Sequence, residues 1–170
     1  MEKKQTHIIY GFLTGLAMVI LSVILYVVGL AFESWSQWLS YIPFFIGLVL
    51  NAMNYAKAND NYVTYGNVWG SGIKASMIIT LVVLAWGIIS TFVFPEMREK
   101  GMEMARERMA QKDMSDEQID QALQMTQKYF LPFMIAGVVF GTMIAGAILS
   151  AIAAAFPKKK GDGMPPIAQQ

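Results

Sequence analysis

The chain has 170 residues and a formal net charge of +1; 55% of it is hydrophobic, 15% is charged, and it contains no cysteine. Soluble domains carry about 25% charged residues, so this balance points away from an ordinary soluble domain. It also offers no global basic footprint for nucleic acid. The missing cysteine excludes disulfides, thiolate metal sites, iron–sulfur clusters and thiol nucleophiles. The charges cluster at the two ends, around Lys57 and Asp60, and between Glu96 and Lys128. Long uncharged runs separate these clusters, which is the signature of an all-α polytopic membrane protein.

The first run, Ile8 to Phe32, reads IIYGFLTGLAMVILSVILYVVGLAF and carries no charge. It is too long for the apolar part of a signal peptide, which takes about 7–15 residues, and long enough to cross a bilayer core of about 30 Å. Trp35, Trp38 and Tyr41 then mark a membrane interface. Further spans are predicted at about 38–55, 70–94 and 129–156, with Pro43 and Pro132 near two of the entries. Pro157 and Lys158-Lys159-Lys160 stop the last one. Residues 1–160 thus read as one four-span domain, and the tail 161–170 has no apolar periodicity and reads as disordered.

Between the third and fourth spans, about 95–128, the sequence predicts a projecting extracytoplasmic helical hairpin. Pro95 suits a first helical turn. Ser115-Asp-Glu-Gln118 is a capping-box sequence for the second arm. Ile119, Ala122, Leu123, Thr126 and Phe130 share one face at helical spacing. With both termini in the cytoplasm, the inside holds Lys3, Lys4, Lys57, Lys74 and Lys158 to Lys160. The outside then holds Arg98, Lys100, Arg106, Arg108, Lys112 and Lys128. Counting alone does not set the orientation. The Lys158 triplet abutting a span, and the absence of Lys and Arg from the first loop, favour both ends inside.

Chemistry is sparse. No ionisable residue lies deep in a span, which argues against a pump or proton-coupled carrier. His7 is the single histidine and has no nucleophile within reach, so an enzyme is not expected, nor is a cofactor or a metal. Methionines crowd the hairpin (Met97, Met102, Met104, Met109, Met114 and Met125), and thioethers suit Cu(I). With no histidine or cysteine beside them, adaptable packing is the simpler role. Small residues at Gly11 and Gly15, and at Gly137, Gly141 and Ala145, suit close helix packing within the bundle, or self-association.

One stretch between the second and third spans is distinctive: Asn54 to Lys74, rich in Asn, Tyr and Gly. Tyr55, Tyr62, Tyr65 and Trp69 recur as interface anchors do. Thr64 suits a helix cap, and Gly66, Gly70 and Gly72 suit close packing where the third span begins. A glycine-rich helix start can bind an anion, with Lys57 and Lys74 assisting. These residues form the candidate surface for membrane lipid or a partner. The spacing matches no Walker or dinucleotide fingerprint.

Four features together resemble an uncharacterised bacterial family of small membrane proteins, a domain of unknown function. They are Thr64-Tyr-Gly-Asn-Val-Trp-Gly-Ser-Gly72, Phe94-Pro-Glu-Met, the hairpin with Asp113-Met-Ser-Asp-Glu-Gln-Ile119, and a small-residue last span ending in Pro157-Lys-Lys-Lys160. The resemblance runs from about Thr6 to Lys160. It implies four helices in a bacterial inner membrane and no particular activity. The sequence therefore predicts a non-enzymatic accessory or assembly factor that touches lipid or another membrane protein through the hairpin and the 54–74 loop. The alternative is a passive conduit or carrier for a small neutral or lipidic solute. That would need Thr14, Ser22, Asn51, Asn54, Thr80, Ser90, Thr91, Thr142 and Ser150 to converge on a path.

Overall fold

Apolar runs with no charge to solvate become helices, because a helix satisfies its own backbone. In the computed structural model, which describes residues 5–33, 35–112 and 114–160, every regular element is helical. They are α1 (His7–Val27), α2 (Ser36–Leu39), α3 (Tyr41–Ala58), α4 (Tyr65–Val93), α5 (Pro95–Ala110), α6 (Asp116–Lys128) and α7 (Phe130–Ala153). Lys3, Lys4 and the tail 161–170 lie outside the described residues. Three helices, α1, α4 and α7, are long and apolar enough to cross a membrane. The 18-residue α3 is not among them; its C-terminal half carries Asn51, Asn54 and Lys57.

Helix ends differ from the limits of the apolar runs, and local chemistry explains each shift. The first helix stops at Val27, short of Phe32. Gly29 adopts φ +78°, and the Leu30 and Gly29 amides donate back to the Leu25 and Tyr26 carbonyls. This is a Schellman stop, which glycine enters without steric cost. The second apolar stretch begins as the single turn α2 and continues as α3 to Ala58. Asp60 (φ 53°) and Asn61 (φ 65°) close α3 in the same manner, their amides donating to the Lys57 and Ala56 carbonyls.

The third helix starts at Tyr65, ahead of the predicted residue 70. The Asn67 amide donates to Thr64 Oγ1 (3.2 Å), and the Thr64 amide donates to Asn67 Oδ1 (3.1 Å). This reciprocal cap lies beside Val63 and Val68, both buried in one cluster and placed as a hydrophobic staple. The last helix runs Phe130–Ala153, within the predicted 129–156.

The described residues form two compact units. The first unit comprises the described residues up to 83 and from 140 onward, and its core includes Phe44, Leu48, Ala52, Tyr55, Val68 and Ile79. Small residues set its spacing. A Cβ on Gly11 would meet the Ala75 carbonyl oxygen at 2.8 Å, and one on Gly15 would meet Val82 Cβ at 2.8 Å, so α1 lies flush on α4. On its other side, Gly47 of α3 is filled by Thr14. Helices α4 and α7 run antiparallel through three successive pairs: Gly72 with Ser150, Ser76 with Gly146, and Thr80 with Thr142. Each glycine faces a hydroxyl, and the two threonine hydroxyls meet at 2.7 Å. Such faces let backbones approach and gain dispersion where lipid supplies no hydrophobic drive.

The second unit comprises residues 84–139. Pro95 occupies the first turn of α5 after Phe94, because the helical region is disfavoured for a residue before proline. Helix α6 opens with the predicted box: the Gln118 amide donates to Ser115 Oγ, and the Ser115 amide donates to Gln118 Oε1. Arg98 donates to the Gln127 carbonyl and Arg106 to Asp120 Oδ1. That register makes α5 and α6 antiparallel. Ile119 of α6 is buried.

Candidate functional site

The predicted surface lies at the end of the first unit where α3 stops, α4 starts and α7 stops. Three contacts knit it. The Lys160 amide donates to the Asn61 carbonyl at 2.7 Å, tying the segment after α7 to the loop after α3. The Lys160 ammonium stands 5.9 Å from the Tyr62 ring centre, and the Lys159 ammonium 5.8 Å from that of Tyr65, the range of a cation–π contact. Lys57 and Lys74 are exposed on α3 and α4.

The aromatics do more than mark an interface. Ala155 turns its amide to the Ile152 carbonyl, which leaves the Ala151 carbonyl outside the helical ladder. The Tyr65 hydroxyl donates to that carbonyl at 2.7 Å, so the side chain caps the end of α7. One turn on, Trp69 Nε1 donates to the Ala147 carbonyl at 3.1 Å. Both rings stay exposed, with an outward apolar face and an inward polar tip.

The three glycines separate. Among the described residues, a Cβ on Gly70 meets no atom within 4 Å, and one on Gly66 meets only Thr64 Oγ1, at 3.9 Å. Gly72 is buried against Ser150. Close packing at the start of α4 therefore belongs to Gly72 alone, and it serves the α4–α7 contact rather than the surface. Just beneath the rim lies a polar node. Thr6 leaves its own helix uncapped and donates to Asn51 Oδ1 (2.8 Å), and Asn51 Nδ2 donates to Ser71 Oγ (3.2 Å). Asn51 is wholly buried, and this node ties α3 to the starts of both α1 and α4.

Lys159, Lys160 and Asn61 were not among the residues singled out for the site from sequence. Lys159 and Lys160 read there as a stop signal, and nothing along the chain brings them to Tyr62 and Tyr65. Among the described residues, no group of three His, Cys, Asp or Glu side chains is placed to hold a metal. Met102 and Met104 stand two apart on α5, a spacing that puts them on different faces. The arrangement offers ammonium groups and ring faces at one rim. No curated protein and no solved structure matches the chain. The sequence profile of one family does match, over residues 9–159, and the chain belongs to it: the DUF4199 family, described as protein of unknown function.

Proposed function

We propose that this is a non-enzymatic, multi-pass protein of a bacterial inner membrane, an accessory or assembly factor. Its rim of Lys57, Tyr62, Tyr65, Trp69, Lys74, Lys159 and Lys160 lies at the cytoplasmic surface, on anionic lipid or a membrane partner. The carrying observation is the outer face of the helices. Ile8, Phe12, Leu16, Ile20 and Ile24 repeat every four residues on α1 and are all exposed. Phe140, Ile144, Ile148 and Ile152 do the same on α7, from 68% exposed at Phe140 to 50% at Ile152. Such continuous apolar surface is foreign to a protein in water and natural in hydrocarbon.

In this reading α3 also spans the membrane, second in chain order, which brings the spans to four. Its 18 residues reach about 27 Å at 1.5 Å per residue, near the bilayer core, and Asn51 is satisfied inside. Pro95 to Lys128 then lies on the far side, and both termini lie in the cytoplasm. The Gly137 and Gly141 face fits a second membrane helix, since among the described residues no atom comes within 4 Å of a Cβ on either. The conduit reading gains less support, because its polar side chains bond locally. Ser22, Asn54, Ser90 and Thr91 donate to carbonyls of their own helices, and Thr80 pairs with Thr142.

Single cysteines at Glu33, Lys57, Ala110 and Lys158, all exposed, test the topology. Glu33 and Ala110 should label with an impermeant maleimide from outside the cell, and Lys57 and Lys158 only after the membrane is opened. Any other partition overturns the four-span arrangement.

A further inference from the structure

Where α4 ends and α5 begins, the second unit contains a groove of about 290 Å³. We propose that it binds a single-chain fatty carboxylate, with the tail among Met97, Met102, Met134 and Phe94 and the head on Arg98. At about 30 Å³ for each water-sized group, the volume holds roughly ten such groups, which is a medium-length acyl tail. A bare metal ion on the thioethers would leave most of it empty.

The lining is apolar in practice. Ser90 and Thr91 turn their hydroxyls back onto the Gly87 carbonyl, and Thr91 also points at Met134 Sδ, 3.8 Å away. Gly87 and Gly101 contribute no side chain. A Cβ on Gly101 meets no described atom within 4 Å, so it borders open space. Methionine adapts its shape to a flexible tail.

Arg98 supplies the complementary charge and is the one charged side chain in the lining. Its guanidinium stacks 4.9 Å from the Phe130 ring centre and donates to the Gln127 carbonyl at 3.3 Å. Among the described residues it pairs with no carboxylate, and Asp120 is taken by Arg106. A planar guanidinium held by a ring and one carbonyl keeps N–H groups free for a carboxylate, which it can meet with two parallel bonds.

The test uses the full chain in phosphatidylcholine nanodiscs, with Trp35, Trp38 and Trp69 changed to Phe. Trp86, whose ring centre is 6.4 Å from that of Phe94, then reports on the groove. Terminally brominated undecanoate should quench Trp86 saturably. Arg98→Gln should weaken that binding at least about tenfold, as loss of a charged hydrogen bond does, and leave brominated undecanol unaffected. Gly101→Leu should abolish the saturable quenching while thermal unfolding stays as high as before, because leucine favours an open helical position. Quenching that never saturates, or that is the same in all three proteins, overturns the proposal, as does equal loss of acid and alcohol in Arg98→Gln. Arg98→Gln and Gly101→Leu lie outside the rim, and the Trp69→Phe change is common to all three proteins, so failure here leaves lipid contact at the rim standing.

Discussion

Gly72 and Ser150 are pressed so closely that a methyl group on Gly72 would lie 2.6 Å from the Ser150 hydroxyl oxygen. That oxygen is buried and, among the described residues, has no hydrogen-bond partner, so the contact is steric rather than polar. Ser76 and Gly146 repeat it one turn on, and Thr80 and Thr142 follow with a hydrogen bond between their hydroxyls. Gly72→Ala should therefore cost about 1–3 kcal/mol, the usual penalty of overpacking. Gly70→Ala, two residues away with open space, should be neutral or gain up to about 1 kcal/mol from helix propensity. Thermal unfolding in detergent, followed by size-exclusion recovery, measures both. Equal sensitivity at the two positions would sink the packing account.

Asn51 is the node through which α3 holds Thr6 and Ser71. Interhelical side-chain bonds in membrane proteins contribute about 0.6–2 kcal/mol. Asn51→Leu should lower stability by at least that amount, because Leu also leaves Ser71 without its donor. A double-mutant cycle with Ser71→Ala should show positive coupling; additive effects would mean that the two side chains act independently.

Tyr65→Phe removes one hydroxyl and nothing else. The Ala151 carbonyl then loses the donor that replaces its helical partner, at a cost of about 1 kcal/mol. Hydrogen exchange should quicken in the last turn of α7 and stay unchanged in α1. Uniform acceleration through the chain would contradict a local capping role.

Lys57→Gln with Lys74→Gln should leave unfolding unchanged, because both side chains are exposed. Each lysine near an anionic surface contributes about 1 kcal/mol. The double variant should therefore retain less phosphatidylglycerol in native mass spectrometry, with a smaller effect at high salt. Unaltered lipid retention would leave the rim a connector only.

In the second unit, Ser115→Ala should destabilise α6 by about 1 kcal/mol through loss of its cap, seen as faster exchange over the first turn. Asp120→Asn should change little, since both partners in its ion pair with Arg106 are more than half exposed and exposed pairs contribute little.

The sequence by itself determined the helical class, the position of the turn regions, the Pro95 break and the Ser115 box. Each is a short-range matter: uncharged runs must bond their own backbones, proline disfavours the helix at its predecessor, and a serine reaches an amide three residues on. It misplaced the ends of α1 and α4 by about five residues, because hydropathy tracks charge while the ends are set by Gly29 at positive φ and by the Thr64–Asn67 cap. Only the tertiary structure decided which small residues matter. Gly72 and Gly70 look alike along the chain, yet one meets Ser150 and the other meets open space. It also brought Lys159 and Lys160 to Tyr65 and Tyr62, and gathered Met97, Met102 and Met134 around one groove with Arg98. Those meetings depend on the rotation and register of packed helices. In the first unit the fit of Gly72 to Ser150 and of Gly146 to Ser76 sets that register, and no one-dimensional spacing encodes it.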